Sequence, residues 1–259
     1  MVVWQLLNLD MNYAILGATS GIGEALARLL ARQGHNVGIT GRRTDRLQKI
    51  QEDLSLDRDS SPDHGIGDVY IQTMDVTQTE KAWDAMLALE AAMGHIDVCV
   101  LNAGISNYQG SHTAEVEAKV IQTNAVGFAS LFQRMFDRFE QQGWGHLVGI
   151  SSVAGLIGYH DSAAYCASKA FVSNYMQGYR QRARRSKALL YVTDVRPGYI
   201  ATPMTEGKRN MFWVVSAEEA AKHLYDAIRK KKSRAYIPPR WMLAGWILRY
   251  APAWLIDRI

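Results

Sequence analysis

The chain has 259 residues, 48% apolar and 21% charged, with 29 Lys and Arg against 25 Asp and Glu for a formal net charge of +4. That length can bury a full core in one large α/β domain or two small ones, and the ordinary composition excludes a disordered or fibrous chain. The charge is mild and comes without zinc spacing or a nucleic-acid motif, so nucleic-acid binding is not indicated; the two cysteines, Cys99 and Cys166, make no disulfide framework and point to a reducing, cytoplasmic compartment.

Met1 to Leu9 has apolar residues but no basic start and no small-residue cleavage site, so it does not read as a secretory signal. No run of about 18 uncharged apolar residues occurs, and no spanning helix is predicted. From Asn12 to about Arg196, short apolar runs alternate with helical ones, the pattern of a parallel sheet with helices on both faces. Tyr13 to Leu16 reads as the first strand, and an amphipathic helix from Gly21 to Gln33 follows, ended by Gly34. Asn36 to Thr40 is the second strand, Asp45 to Leu54 a second helix, and Ser55 to Gly67 a solvated loop. Asp68 to Met74 makes a third strand. Thr77 and Glu80 have capping-box spacing before a helix that reaches Met93, and Gly94 stops it. Ile96 to Leu101 is a continuous apolar strand, as a sheet covered on both faces requires. A long helix over about Ala114 to Glu140, a strand at His146 to Ile150, a helix from Ala163 to about Ser186 and a strand at Leu189 to Val195 follow. Ser216 and Glu219 again have capping-box spacing, for a helix to about Lys231, and Arg234 to Ile237 is a last short strand.

Between the first strand and its helix stands Gly17-Ala18-Thr19-Ser20-Gly21-Ile22-Gly23. Glycines there let the backbone turn tightly and approach a pyrophosphate, while the helix N-terminus offers free N–H groups to the anion. The second strand ends in Thr40-Gly41-Arg42-Arg43, with no carboxylate before Asp45. An acid at that edge binds a ribose 2′-hydroxyl; two guanidiniums suit a 2′-phosphate, which favours NADP(H) over NAD(H). Further on, Tyr165 and Lys169 stand one helical turn apart on the same face. A phenol beside a fixed ammonium ionises more easily and comes nearer the range of a useful acid or base. Cys166 between them reads as a packing residue, and no metal-ligand cluster is expected.

In their order these motifs resemble the short-chain dehydrogenase/reductase family, over nearly the whole chain to about Ile237. The resemblance implies a single Rossmann-type domain, a doubly wound parallel sheet with helices on both faces, spanning residues 1–237, with 238–259 as a tail. Gly17 to Gly23 is similar to the family's cofactor loop, with Thr19, Ser20 and Ile22 inside it. Asp75-Val76 looks like its adenine contact, Asn102-Ala103-Gly104 like its Asn-Ala-Gly element, and Pro197-Gly198 with Thr202 like the segment that packs on the nicotinamide. Ser152, Tyr165 and Lys169 match the catalytic serine, tyrosine and lysine, and Asn124 the asparagine of the proton relay. Leu16 and Leu101 depart from the family pattern, which predicts weaker local hydrogen bonding near the cofactor loop. The implied activity is hydride transfer between NADPH and a carbonyl or secondary alcohol, the carbonyl reductase or alcohol dehydrogenase reaction, in a homo-oligomer. Tyr165 would protonate the oxygen, Ser152 hydrogen-bond it, Lys169 hold the ribose and lower the tyrosine pKa, and Asn124 place a water.

Substrate choice is expected in the loops Ile105 to Thr113, Val153 to Ala164 and Tyr199 to Val215, which carry Tyr108, Leu156, Ile157, Tyr159, Met204, Met211, Phe212 and Trp213. Their apolar and aromatic weight suggests an apolar substrate. From Trp241 onward Trp, Leu, Ile and Tyr are interspersed with Arg, after a basic stretch from Arg229 to Arg234. The tail is too short and too broken at Arg249 and Pro252 to span a bilayer. Three readings stay open for it: a lid on the pocket, a subunit contact, or a segment lying on the inner face of a membrane. The alternative to an enzyme is a catalytically vestigial dinucleotide-binding scaffold that recruits a partner or membrane through this tail.

Overall fold

Residues 11–60, 65–106, 113–207 and 211–250, with 252 and 254, are described by the computed structural model. Met1 to Leu9, Tyr108 and most of the tail beyond Tyr250 lie outside the described residues. The strands are β1 (Asn12–Leu16), β2 (Asn36–Gly41), β3 (Val69–Thr73), β4 (Val98–Leu101), β5 (Trp144–Ile150), β6 (Leu189–Pro197), β7 (Ile200–Ala201), β8 (Val215–Ser216) and β9 (Arg234–Ile237). The helices are α1 (Gly21–Ala31), α2 (Thr44–Ser60), α3 (Thr79–Met93), α4 (Ala114–Ile121), α5 (Phe128–Gln142), α6 (Ala163–Arg185), α7 (Ala217–Arg229) and α8 (Trp241–Tyr250).

Among the described residues seven strands form one parallel sheet in the order β3-β2-β1-β4-β5-β6-β9. The strand order reverses between β1 and β4, and a crevice opens there beyond the carboxyl ends of the strands. Every residue of β4 is buried, which is why Val98-Cys99-Val100-Leu101 shows no alternation. One face of the sheet packs on α1, α2 and α7 through Leu26, Leu30, Leu47, Ile50 and Leu224. The other packs on α3, α5 and α6, where α5 buries Phe128, Leu131, Phe132, Met135, Phe136 and Phe139, a stripe at helical spacing.

Most predicted elements stand within a residue or two of their expected ends, and four differ for physical reasons. The second helix continues to Ser60, through a stretch expected to be loop. Its last turns are polar, and neighbours hold them: Arg58 donates to Asp68 and to the Gly67 carbonyl, both at 2.8 Å, and Arg32 pairs with Asp57 at 2.7 Å. Thr77 and Glu80 form no capping box; Asp75 Oδ1 accepts from Thr77 N and Oγ1 instead, and Glu80 pairs with Arg134. The long helix is interrupted by a π-turn, Gln122–Gly127, that carries Asn124; such wide turns concentrate at functional sites. The tail forms α8, and β7 and β8 pair as a separate two-residue ladder. The second expected cap is present, with Ser216 Oγ accepting from Glu219 N at 3.1 Å.

The apolar stripe of α5 sets the larger share of the core on its side. Phe132 is wholly buried among Phe128, Tyr175 and Tyr179, with ring centroids 5.2, 5.9 and 5.1 Å away. Phe132→Ala should therefore lower stability by about 3–5 kcal/mol, whereas Leu56→Ser, at an exposed position of α2, should change it by less than about 0.5 kcal/mol. Urea unfolding measures both, and equal midpoints would contradict this account of the core.

Candidate active site

The glycine loop is held from two sides. Gly17 N and Ala18 N donate to the Thr40 carbonyl at 3.0 and 2.9 Å, and Asn102 Nδ2 donates to the Gly17 carbonyl at 2.6 Å. Gly17 has φ +91°, and a β-carbon there would stand 2.6 Å from Ala103 Cα; at Gly23 one would collide with the Gly17 carbonyl. These are positions where only a bare backbone fits. Leu16 and Leu101, expected to weaken this region, are buried in the core beneath it, and Asn102 and Thr40 hold the loop instead.

Ser20 occupies the N-cap of α1 in an extended conformation, and its side chain does not cap the helix. Its hydroxyl takes a bond from Arg43 at 3.0 Å, and Arg43 also reaches Thr19 Oγ1 at 2.6 Å. Burial, then the nearby Arg46 and Arg42, push the Arg43 pKa down, so a cluster of like charges faces the open N-terminus of α1. Asp75 closes the same end. Burial raises its pKa, but the two Thr77 bonds with Arg42 and Lys119 outweigh that and hold the carboxyl below its ordinary range.

From this loop a cavity of about 800 Å³ runs to Ser152, Tyr165 and Lys169. Every residue predicted for the site lines it except Gly23 and Asn124, which lie beneath the lining. Ser152 Oγ donates to the Pro197 carbonyl at 3.3 Å and accepts from Ala154 N at 3.1 Å. Lys169 Nζ donates to the Ile150 carbonyl at 2.8 Å and stands 5.7 Å from the centre of the Tyr165 ring. The Asn124 amide bonds Ile105 both ways, donating to its carbonyl at 2.8 Å and accepting from its N–H at 2.9 Å. It also donates to Ser168 Oγ at 3.1 Å. Gly104 lies against both Asn124 Oδ1 and Lys169 Nζ, 3.2 and 3.3 Å from where its β-carbon would be.

Burial dominates the electrostatics. It pushes the Tyr165 phenol up to about 12, against a hydrogen bond with Ser152 that works the other way. It pushes the Lys169 ammonium down to about 8. In the ligand-free protein burial thus drives the phenol upward, against the downward shift that the helical spacing suggested. Behind the site Asp194, wholly buried, accepts from Ser151 Oγ at 2.5 Å and Arg196 Nε at 2.9 Å, tying β5 to β6 beside Ser152.

Of the residues expected to choose substrate, Ile157, Tyr159, Met204 and Phe212 line the cavity. Leu156 instead packs under Gly245, and Trp213 packs on Trp241 with ring centroids 5.5 Å apart. Cys166 lines the wall, its sulfur 3.5 Å from Ser162 Oγ. Trp241 and Leu248 of α8 also line the cavity, which agrees with the lid among the three readings of the tail, although neither was named as a site residue. Their spacing with the small Ala244 and Gly245 between them is the sequence signal that marks this inner face.

Residues 12–212 match the family model described as short chain dehydrogenase. The chain belongs to the short-chain dehydrogenase/reductase family. It is 35% identical over 227 residues to an uncharacterized oxidoreductase of Mycobacterium tuberculosis, covering 86% of this chain and 87% of that one. It is 31% identical over 193 residues to the NADP-dependent 3-hydroxy acid dehydrogenase YdfG of Escherichia coli, covering 73% of each. Among solved structures, a short-chain dehydrogenase from Sphingobium yanoikuyae in complex with NADPH superposes with a TM-score of 0.74 at 27% identity, over 94% of this chain and 98% of that one. The protein is thus an oxidoreductase of this family, and the glycine cradle, open helix terminus and arginines fit a dinucleotide.

A phenol held neutral by the fold has a signed consequence. With its folded pKa near 12 above an ordinary value of 10, Tyr165 contributes stability below pH 10 that is lost as the pH rises toward 12. In an alkaline titration of the ligand-free protein, the tyrosinate absorbance that Tyr165→Phe removes should appear above the range of ordinary tyrosines. A missing component that titrates below 10 would contradict the burial account.

Proposed function

We propose that this protein is an NADPH-dependent carbonyl reductase or alcohol dehydrogenase acting on an apolar substrate. The observation that carries the reading is the convergence of Ser152, Tyr165 and Lys169 at one end of a cavity whose other end is the glycine cradle with Arg42 and Arg43. When bound, the dinucleotide supplies or accepts the hydride. Gly17 to Gly23 would hold its pyrophosphate, Asp75 and Val76 its adenine side, and Asn102, Ala103, Gly104, Pro197, Gly198 and Thr202 its nicotinamide side. Arg42 and Arg43 would take the 2′-phosphate, since adjacent guanidiniums with no acid between them are stabilised by an anion. NADP dependence of the Escherichia coli relative supports that choice.

In the reducing direction the Tyr165 hydroxyl gives its proton to the substrate oxygen. Ser152 donates to the same oxygen as charge gathers there, an aimed donor in a site shielded from water. The Lys169 ammonium, 5.7 Å from the centre of the ring, would hold the cofactor's ribose and stabilise the phenolate left behind. Asn124, which bonds Ile105 and Ser168 beside Gly104, would place a water that returns the proton by way of Lys169. The far wall, with Ile157, Met204, Phe212 and Leu248, offers apolar surface to the rest of the substrate.

The outer side of α8 supports a finer statement about partners. Met242, Leu243, Trp246 and Ile247 are exposed together, and from Ala235 to Ile256 the sequence holds Arg240 and Arg249 and no acid. An apolar row with basic flanks suits the surface of an anionic membrane on its cytoplasmic side. No helix among the described residues is long and apolar enough to cross one. The proposed assembly is a homo-oligomer.

Tyr165→Phe should keep NADPH affinity within about threefold while lowering kcat by a factor on the order of 10³. Fluorescence titration and NADPH absorbance with a carbonyl panel graded by chain length, NADH in parallel, measure both. Turnover surviving at a substantial fraction would contradict the role of the phenol, and a wild type inert to every carbonyl would leave the scaffold reading. Copelleting with anionic vesicles should fall when residues after Pro239 are removed; equal recovery in the supernatant disposes of the membrane contact.

A further inference from the structure

The C-terminal helix enters the active site through Trp241. This residue is 4% exposed, and its indole lies on Gly198, where any β-carbon would collide with Nε1 and Cε2. Gly198 N donates to the Ile237 carbonyl at 2.8 Å on the other side. The neighbouring Pro197 carbonyl is the acceptor for Ser152 Oγ at 3.3 Å. The segment that orients Ser152 is thus gripped between the end of β9 and the indole ring.

Shape, not hydrogen bonding, holds the ring there. Its N–H is buried with no acceptor among the described residues, a cost that a phenylalanine in the same place would avoid. Tyr199, Phe212 and Trp213 surround it with ring centroids 5.8, 4.9 and 5.5 Å away. Trp213 holds φ +54°, a conformation that bulky residues rarely adopt, with the Arg240 guanidinium 5.6 Å from its ring centre. Backbone of this kind persists only where surrounding contacts impose it. The loop between β7 and β8 and the start of α8 therefore pack as one aromatic wall. Leu248 extends that wall along the cavity.

We propose that Trp241 is a positioning and specificity-determining residue of the active site. It fixes the Pro197–Gly198 floor, and through the Pro197 carbonyl the Ser152 hydroxyl, while its ring and Leu248 bound the space for the apolar part of the substrate. The proposal rests on the carbonyl-reductase reading and adds to it that the segment after β9 is part of the catalytic unit. An indole that only filled core space would contact side chains able to give way. Here it meets the backbone of Gly198, which cannot yield without moving its neighbour Pro197.

A double-mutant cycle of Gly198→Ala and Trp241→Ala, with Trp241→Phe alongside, tests the coupling. Melting temperature and NADPH affinity are read first, without turnover, then kcat and KM for a short and a long apolar carbonyl. Gly198→Ala should lower kcat by about 10- to 100-fold through displacement of the floor. Trp241→Ala should lower kcat similarly and change the ratio of KM values between the two carbonyls. The double variant should be no worse than Trp241→Ala in melting temperature or kcat, because the space that the new methyl needs has been vacated. Trp241→Phe should keep kcat within about threefold, since the ring rather than its N–H is what acts. Additive losses in the double variant overturn the proposal. So does coupling in melting temperature with wild-type kcat and an unchanged KM ratio in Trp241→Ala, which would leave a structural contact alone. An inactive wild type would sink the reading of the whole site, whereas an active wild type with an indifferent Trp241 sinks only this one.

Discussion

The bond from the Asn102 amide to the Gly17 carbonyl, at 2.6 Å, is the constraint from which the rest of the site follows. It joins the two strands that diverge at the switch point, β1 and β4, just where their helices leave in opposite directions. The glycine loop can then lie flat on Ala103, and its two tightest positions admit no side chain. A loop without that tether would have to satisfy its backbone groups internally, which would turn its N–H groups away from an anion. The Thr40 carbonyl completes the hold from the β2 side.

At the other end of the cavity the same economy of contacts shapes the chemistry. Tyr165 and Lys169 are both buried, and burial acts on them in opposite senses because one is charged after losing a proton and the other before. The phenol is driven up and the ammonium down, so the phenol is harder and the ammonium easier to deprotonate than in water. A bound group that adds negative charge would draw the ammonium back up and push the phenol higher still. The proton chemistry of this site is therefore set jointly by the protein's burial of the pair and by what occupies the cavity.

The C-terminal helix extends this logic beyond the domain expected from sequence. Its inner side reaches the floor of the site through Trp241 and its wall through Leu248, while its outer side leaves a row of large apolar residues in contact with solvent. One short helix thus links the surface to the position of Ser152.

The parallel sheet with its helices, the glycine loop and the spacing of the tyrosine and lysine were legible in the sequence because each is a local signal. Apolar runs of strand length, glycines between strand and helix, and a tyrosine one turn from a lysine are read from residues near each other in the chain. The second helix was under-read because its last turns are polar and are held from outside, Asp57 by Arg32, and Arg58 by Asp68 and the Gly67 carbonyl. The capping box at Thr77 failed because Asp75, two residues earlier, competes for the same donors. The π-turn at Asn124 carries no period that separates it from the flanking helices. By itself the sequence determined the doubly wound fold and which side chains could perform proton chemistry. Tertiary structure alone decided that burial drives the phenol upward and that the Trp241 indole lies on Gly198, because desolvation and close packing depend on what surrounds a residue in space, not on its neighbours along the chain.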